Sequence, residues 1–502
     1  MTDLLSHLWQ GFQVASHPLN ILFCCLGALV GTLVGVLPGI GTIATIAMLL
    51  PITFGLPPVG ALIMLAGIYY GAQYGGSTTS VLVNIPGEAT SVITCLDGHQ
   101  MARQGRAGPA LSIAAIGSFF AGCVATVLVA ALGAPLTSLA LLFGPAEYFS
   151  LMVLGLIFAV VLAKGSVLKA IAMVLTGLLL SMVGSDLETG AGRITFDIAE
   201  LADGIGFPNI AMGLFGFAEI IRNLELPAES REIVQAKITG LMPTRKDLID
   251  SSGAIARGTA LGSLLGILPG GGALIASFAA YGFEKRMAKD PSRFGRGAIE
   301  GVAAPESANN AGAQTSFIPL LTLGIPPNAV MALMVGAMTI HGIVPGPQVM
   351  TKQPDLFWGM IASMWIGNLM LIVINLPLVG VWVSLLRVPY RLLYPCIVMF
   401  CCIGIYSINN SPTDVWISAL FGIVGFWLVK HDFEPAPLTL ALVLGPLMEE
   451  NLRRAMLIAR GDATVFFTKP ISAGLLLTAM TLLLIAALPK IRKRRDEVFV
   501  EE

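Results

Sequence analysis

The chain has 502 residues, of which 55% are hydrophobic and only 12% are charged, and its 29 basic and 30 acidic side chains leave a formal net charge of −1. Soluble domains carry roughly 25% charged residues, so half that density cannot cover a water-facing surface of this size. A soluble enzyme, a nucleic-acid-binding protein and a disulfide-stapled secreted domain are therefore excluded.

Long uncharged tracts indicate the class of protein. No Asp, Glu, Lys or Arg occurs between Asp3 and Glu88, and further uncharged tracts cover residues 107–146, 307–351 and 356–386. A bilayer core requires about 20 apolar residues per helical span, so each tract can hold one or two crossings. The buried strands of a soluble α/β protein would instead be runs of roughly 4–8 residues between polar turns. The sequence predicts an all-α polytopic membrane protein.

Apolar segments follow one another along the whole chain. In chain order, the candidate spans cover residues 20–37, 42–56, 59–75, 110–133, 146–163, 167–184, 207–221, 257–283, 308–324, 328–346, 356–386, 392–408, 413–429, 436–448 and 470–489. Several are too short or too broken to cross a bilayer alone. We therefore predict about 10–12 transmembrane helices together with re-entrant pieces.

Polar stretches divide these segments into four parts. A first transmembrane half covers residues 1–222, and a connecting loop at 223–256 contains the longest hydrophilic stretch. A second transmembrane half with additional helices covers 257–489, and a basic tail covers 490–502.

Lys and Arg residues in short loops predict the orientation, because such loops stay cytoplasmic. The tail contains Lys490-Ile-Arg-Lys-Arg-Arg495, and the connecting loop and residues 285–296 are also basic. We therefore predict a cytoplasmic C-terminus. The uncharged stretch 258–283 lies between two basic flanks and is broken at Pro269-Gly-Gly-Gly272. It should enter the membrane and return as a helical hairpin.

Two motifs recur in the same order in both halves, which predicts an internal duplication. Gly31-Thr-Leu-Val-Gly-Val-Leu-Pro-Gly-Ile-Gly41 matches Gly262-Ser-Leu-Leu-Gly-Ile-Leu-Pro-Gly-Gly-Gly272, and Asn84-Ile-Pro-Gly87 aligns with Gly324-Ile-Pro-Pro327. The spaced glycines favour close helix packing. Pro and Gly breaks at matching positions of two repeats indicate the substrate site of a transporter.

Dense polar clusters accompany the second motif in each half. Residues 77–80 read Ser-Thr-Thr-Ser, and residues 306–316 contain Glu306, Asn309, Asn310, Thr315 and Ser316. Hydroxyl, amide and carbonyl oxygens suit Na⁺, whereas the N-termini of half-helices attract anions. No Lys or Arg occurs in residues 4–87 or 307–351. The clusters therefore predict a carboxylate site with co-bound cations and without a side-chain cation.

Enzyme and cofactor motifs are absent from the sequence. There is no P-loop, no G-x-S-x-G and no C-x-x-C pair among the seven cysteines. An intramembrane enzyme would need a catalytic pair, and none is evident. We expect no enzyme activity, no cofactor and no metal beyond a transported Na⁺.

Several further motifs are similar to those of the large membrane subunit of tripartite tricarboxylate transporters. They are Tyr70-Gly-Ala-Gln-Tyr-Gly-Gly-Ser-Thr-Thr79, Asn84-Ile-Pro-Gly-Glu88, Asp97-Gly-His-Gln-Met-Ala-Arg-Gln-Gly105, Gly190-Ala-Gly-Arg-Ile-Thr195, Ala304-Pro-Glu-Ser-Ala-Asn-Asn-Ala311 and Leu321-Thr-Leu-Gly-Ile-Pro-Pro327. The resemblance runs from about residue 20 to residue 440.

This resemblance implies an ion-coupled secondary importer, usually driven by Na⁺, of citrate-like tricarboxylates or other carboxylates in a bacterial inner membrane. It also implies two partners, a periplasmic solute-binding protein and a small four-helix membrane subunit. The substrate-site elements carried over from the motifs are Pro38, Gly39, Ser77, Thr78, Asn84, Pro86, Pro269, Gly270, Asn309, Asn310 and Pro326. Candidate ion ligands are Thr79, Ser80, Glu306, Thr315 and Ser316. The alternative within membrane proteins is an ion channel with re-entrant filter loops.

Overall fold

A computed structural model describes residues 2–37, 41–84, 86–140, 142–163, 166–186, 189, 191–225, 240–268, 272–385 and 390–487. These residues are almost entirely helical, apart from a short antiparallel ribbon of β1 (Gly184–Ser185) and β2 (Gly192–Arg193). The predicted all-α class is confirmed. By length and composition, the helices Pro18–Val36, Ala107–Ala140, Pro354–Asn375 and Pro412–Lys430 can cross a membrane, and shorter apolar helices accompany them. The number of crossings stays a prediction.

The helices are named in chain order. The first are α1 (Thr2–Ala15), α2 (Pro18–Val36), α3 (Thr42–Thr53), α4 (Pro58–Val83), α5 (Val92–Thr94), α6 (Gln100–Arg103), α7 (Ala107–Ala140), α8 (Pro145–Leu162), α9 (Val167–Ser181), α10 (Phe207–Ala211) and α11 (Ala218–Glu225). The others are α12 (Arg245–Gly266), α13 (Gly272–Met287), α14 (Glu300–Thr315), α15 (Phe317–Leu323), α16 (Ala329–Ile340), α17 (Gln348–Lys352), α18 (Pro354–Asn375), α19 (Val379–Leu385), α20 (Tyr390–Asn409), α21 (Pro412–Lys430), α22 (Pro435–Ile458), α23 (Val465–Thr468) and α24 (Pro470–Ala487).

Short turns complete the helical chain. Single 3₁₀ turns occur at Ala89–Ser91, Ala199–Leu201 and Pro291–Arg293, and π-helical turns at Cys95–His99 and Met212–Phe217. Proline occupies the first position of α2, α4, α18 and α21, where its missing N–H is not needed. The prolines of the sequence therefore mark where many of these helices begin.

The unit α2–α3–α4 is held together by glycines. A methyl group at Gly31 would lie 2.4 Å from the carbonyl oxygen of Ile68, and one at Gly35 would lie 2.3 Å from that of Ala72. A step of four residues along α2, from Gly31 to Gly35, thus matches a step of four residues along α4, from Ile68 to Ala72. The helices α2 and α4 are therefore parallel. The short helix α3, which comes between them in the sequence, packs mainly against α16, α20 and the turn Met212–Phe217.

The unit α12–α13–α14 packs in the same way. Methyl groups at Gly258 and Gly262 would lie 2.3 Å and 2.2 Å from the carbonyl oxygens of Ala304 and Ala308, so α12 and α14 are also parallel. The glycines of the predicted repeat thus make equivalent helix contacts in both units, as expected for small-residue packing. The internal duplication itself stays a prediction.

The chain returns on itself between α12 and α13. Arg257 of α12 donates two hydrogen bonds, at 2.6 and 2.8 Å, to the carboxylate of Glu284 in α13. Helices α12 and α13 therefore form a hairpin, as the basic flanks of the stretch 258–283 led us to expect. The side of the membrane on which those ends lie stays a prediction.

Helix α18 runs in the same direction as α2. Cys24 lies 3.8 Å from the carbonyl oxygen of Ser363, and Asn375 donates to Thr32 at 3.3 Å. Helix α7 has the same relation to the second unit, because Arg106 pairs with Asp247 at the start of α12 and Ser118 bonds Asn310 further along α14.

The two units have opposite directions. Trp365 of α18 donates to the carbonyl oxygen of Cys123 in α7, and Phe357 lies beside Gly133, so α7 and α18 are antiparallel. Since α18 is parallel to α2 and α4, and α7 is parallel to α12 and α14, the two three-helix units are antiparallel. Their hairpins therefore enter the molecule from opposite faces.

The basic loops lie together on one face of the molecule. Arg106 and Asp247 are 2.5 Å apart, and Gln104 donates to the carbonyl oxygen of Arg296 at 2.8 Å. Burial alone would raise the pKa of Asp247, but hydrogen bonds from Thr244 and Arg106 outweigh it and hold that pKa below its usual range. We call this the basic face; its basic residues are Arg103, Arg106, Arg245, Lys246, Arg257, Lys285, Arg286, Lys289, Arg293 and Arg296.

A fully buried carboxylate, Asp97, joins the two units at the basic face. It accepts hydrogen bonds from the backbone N–H groups of Gly295, Gly297 and Ala298 at 2.8–2.9 Å, and from the Tyr281 hydroxyl at 3.0 Å. Charge-assisted bonds of this kind are the strong ones. Asp97 therefore fixes the loop that leads into α14.

Helices α8, α9, α22 and α24 form a second group beside the two units, with a core of their own. The ribbon β1–β2 is attached to this group through ion pairs. Arg453 of α22 lies 2.5 Å from Asp186, and Arg193 of β2 lies 2.7 Å from Glu449.

Candidate functional site

Glu306 lies where α4 and α14 cross and is fully buried. Its carboxylate accepts hydrogen bonds from the Ser77 hydroxyl of α4, at 2.5 Å, and from the Thr94 hydroxyl of α5. Among the described residues it has no basic partner. A buried carboxylate without a counter-charge is costly, so this position calls for a bound cation or proton.

A narrow cleft with a volume of about 20 Å³ opens beside Ser77. It is bounded by α4, by the first third of α7 and by the end of α18. Its lining residues are Tyr74, Ser77, Thr78, Leu111, Ala114, Ala115, Ser118, Asn375, Leu376 and Val379. The polar lining consists of hydroxyls and one amide, and it includes no basic side chain. The predicted substrate residues Ser77 and Thr78 thus share one cleft.

Two asparagines follow Glu306 on α14. Asn310 donates through one amide nitrogen to Ser118 at 2.7 Å and to the carbonyl oxygen of Glu306 at 3.0 Å. Its amide oxygen and both amide atoms of Asn309 are buried without a partner in the described part of the chain. Buried polar atoms are normally hydrogen-bonded, so these unpaired groups indicate a place for a ligand or water.

A second carboxylate, Glu88, occupies the N-terminus of α3. It accepts hydrogen bonds from the backbone N–H of Thr42, at 2.8 Å, and from the Thr42 hydroxyl. The N-terminus of α16 is likewise capped, because Asn328 accepts from the N–H of Met331 at 2.9 Å. At each of these two half-helix starts, one backbone N–H is therefore capped by a side chain of the same protein. The polar side chains of the cleft are a further place for an anion.

The other predicted ion ligands make local hydrogen bonds. Thr79 donates to the carbonyl oxygen of the last residue of α2 at 2.7 Å, and Ser80 bonds Ser91 at 2.9 Å. Thr315 and Ser316 donate to carbonyl oxygens three or four residues earlier in the chain. Of the five predicted ion ligands, the structure places only Glu306 against Ser77.

The helices that end at the second motif of each half, α4 and α15, end with the same backbone geometry. Asn84 after α4 and Gly324 after α15 both have left-handed backbone, with φ of 57° and 73°. Asn84 and Pro86 are exposed, whereas Pro326 is buried. The remaining predicted breaks lie outside the described residues: Pro38, Gly39, Pro269 and Gly270.

The site also contains three residues that lie outside the sequence motifs named above. Ser118 and Asn375 are isolated polar residues in the apolar tracts 107–146 and 356–386, and Thr94 follows the second motif of the first half. Their signal in the sequence is weak, because single hydroxyls and amides in spans also bond across helices. Only the packing of α5, α7 and α18 near α4 brings them close to Ser77.

Comparisons with known proteins agree with the resemblance seen in the sequence. A family model described as "Tripartite tricarboxylate transporter TctA family" matches residues 21–440. An Agrobacterium vitis protein described as "Uncharacterized 52.8 kDa protein in TAR-I ttuC' 3'region" is 60% identical over 502 residues, the full length of both chains. A second from that organism, "Uncharacterized protein in TAR-II ttuC' 3'region", is 63% identical over 241 residues, which are 48% of this chain and all of that protein. No solved structure matches.

Proposed function

The chain belongs to the TctA family of tripartite tricarboxylate transporters, and from this we propose that it is the translocation subunit of a cation-coupled carboxylate importer, with Na⁺ as the expected ion. The observation that carries the proposal is the cleft beside Ser77, where a polar lining without basic side chains adjoins the buried Glu306. Hydroxyl and amide groups can hold a carboxylate, and Glu306 can hold the cation.

The partners follow from the family. A periplasmic solute-binding protein would deliver the carboxylate, and a small four-helix membrane subunit would accompany this chain. The membrane would be the bacterial inner membrane, with the lipid bilayer around the apolar helices.

The basic face supports a cytoplasmic position for the loops near residues 106, 246 and 293. Ten Lys and Arg residues gather there, and basic short loops stay inside. The start of α2 then lies on the periplasmic side, since the two three-helix units are antiparallel. The solute-binding protein would dock on that side.

The opposite directions of the two units favour transport by alternating access. Inverted repeats with broken helices are typical of secondary transporters, and their substrate sites lie where the repeats meet. The crossing of α4 with α14 at Ser77 and Glu306 is such a place. A channel commonly forms its filter from several identical subunits, whereas here the two units contribute unlike residues.

Uptake of radiolabelled citrate by proteoliposomes containing the complete three-part system tests the proposal. We expect uptake that requires both a Na⁺ gradient and the solute-binding protein. Rapid flux without either component would favour the channel. Absence of uptake for citrate and for a panel of other di- and tricarboxylates would contradict carboxylate transport.

A further inference from the structure

Ser77 touches both the buried Glu306 and the cleft. We infer that a monovalent cation bound at Glu306 turns the Ser77 hydroxyl proton away from that carboxylate and toward the cleft, where it binds the carboxylate substrate. Cation binding would thereby be linked to substrate binding at a single side chain. This inference rests on the proposed function and names the atoms at which coupling occurs.

The Ser77 hydroxyl, like that of any serine, has one proton and two lone pairs. When Glu306 is ionised and carries no cation, its carboxylate is the strongest acceptor near Ser77, at 2.5 Å. The Ser77 proton then points at Glu306, and its lone pairs face the cleft. Lone pairs and an uncompensated negative charge both repel a substrate carboxylate.

A cation at Glu306 reverses this orientation. A proton on the Glu306 oxygen that faces Ser77 makes that oxygen a donor to the Ser77 oxygen, whereas Na⁺ held between Glu306 and Ser77 takes a lone pair of the Ser77 oxygen. In either case the Ser77 proton is released from Glu306. The backbone carbonyl oxygen of Gln73, at 3.1 Å, can accept it while the cleft is empty, but a charged carboxylate is the stronger acceptor.

Ser118 lies on the opposite wall of the cleft, and the direction of its hydroxyl proton does not depend on Glu306. Its oxygen accepts from the amide nitrogen of Asn310, and that nitrogen is fixed as a donor by its second bond to the carbonyl oxygen of Glu306. The Ser118 proton is therefore free to enter the cleft whatever the state of Glu306. This residue provides a matched control, since it contacts substrate without sensing the cation.

Other titratable groups near Glu306 are few in the described part of the chain. Tyr74 of α4 and Cys95, which follows Thr94, are the nearest. Asp97 is satisfied by backbone N–H groups and by Tyr281 of α13, and Arg257 of α12 is paired with Glu284. Helix α7 contributes no charged residue. Glu88, the other carboxylate of the site, is bonded to Thr42 at the N-terminus of α3. A cation-dependent effect at the cleft is therefore assigned to Glu306.

The test uses Glu306→Gln in the complete three-part system, measured by citrate counterflow, which needs no driving gradient. In the wild-type protein we expect the half-saturating citrate concentration to fall about tenfold when the coupling cation is supplied. Two conditions are compared: Na⁺ is added at fixed pH, or the pH is lowered without Na⁺. The condition that lowers the half-saturating citrate concentration identifies the coupling ion. The side-chain amide introduced by Glu306→Gln can donate to Ser77, so the variant should keep tight citrate exchange that no longer depends on the cation. Gradient-driven accumulation should be lost.

The inference would be overturned if citrate exchange by Glu306→Gln depended on the cation as strongly as exchange by the wild-type protein does. It would also be overturned if exchange by the wild-type protein responded to neither Na⁺ nor pH. No exchange of any carboxylate by the wild-type system would instead refute the proposed function.

If Glu306→Gln does not fold, Thr94→Val serves in its place, because losing one cation ligand should raise the half-saturating cation concentration. An unchanged value would overturn the inference. Ser118→Ala should weaken citrate binding equally at all cation concentrations.

Discussion

At the scale of single residues, two buried carboxylates have very different surroundings. Asp97 has four hydrogen-bond donors, three of them backbone N–H groups, whereas Glu306 has two hydroxyl donors and no counter-charge in the described structure. The first is fully satisfied and therefore structural. The second is under-compensated, as expected of an intramembrane acid with a functional role.

Replacing Asp97 with Ala should destabilise the protein. The substitution leaves three backbone N–H groups, of which that of Ala298 is buried, and the buried Tyr281 hydroxyl without their acceptor, so we expect a loss of about 3 kcal/mol in the free energy of unfolding. Denaturant unfolding in detergent measures this loss. Asp290→Ala is the control, because Asp290 is an exposed carboxylate that caps a single turn. Equal stability of Asp97→Ala and the control would contradict the structural role.

At the scale of helices, glycine contacts define both three-helix units. Gly262→Ala should separate α12 from α14, because the new methyl group would lie 2.2 Å from the backbone of Ala308. Overpacking of this kind costs about 1–3 kcal/mol. Gly31→Ala should do the same in the first unit.

Thermal unfolding of these variants can be compared with Gly474→Ala on α24, where the added methyl group meets nothing within 4 Å. The control should be neutral or slightly stabilising, because alanine favours helix over glycine by about 1 kcal/mol. A Gly262→Ala protein as stable as this control would show that α12 and α14 do not pack as described.

The α12–α13 hairpin depends on a second kind of contact, the pair of Arg257 with the nearly buried Glu284. Arg257→Ala leaves that carboxylate unpaired, so we expect a loss of about 2 kcal/mol and recovery of part of it in the double variant with Glu284→Gln. Double-mutant cycles give the coupling energy. The exposed pair of Arg454 and Glu450 is the control, where about 0.5 kcal/mol is expected. A coupling energy no larger than the control would contradict the hairpin contact.

Much of this organisation could be predicted from the sequence, and the reasons are physical. Missing charge identifies membrane helices, and Pro and Gly identify where they begin or break. The sequence did not predict that Ser77 meets Glu306, because their contact depends on the direction in which two distant helices cross. It also could not separate Thr79, which caps α2, from Ser77, since both are hydroxyls in one cluster.

At the scale of the whole molecule, the antiparallel units predict a definite topology. Single cysteines placed in a cysteine-free background at Ser16, before α2, and at Thr244, before α12, should react with an impermeant thiol reagent from opposite sides of the membrane. A cysteine at Lys289 should react from the same side as Thr244, because it lies on the basic face. Labelling in whole cells and in inverted vesicles distinguishes the sides. Reaction of the Ser16 and Thr244 positions from one side would contradict the antiparallel arrangement.

We propose that this chain couples cation entry to carboxylate entry. The most direct measurement is the final internal concentration of labelled citrate in proteoliposomes of the complete system, with an inward Na⁺ gradient and with equal Na⁺ on both sides. We expect accumulation above the external concentration only with the gradient, and its loss in Glu306→Gln. Accumulation without any cation gradient, or simple equilibration in both conditions, would contradict the claim.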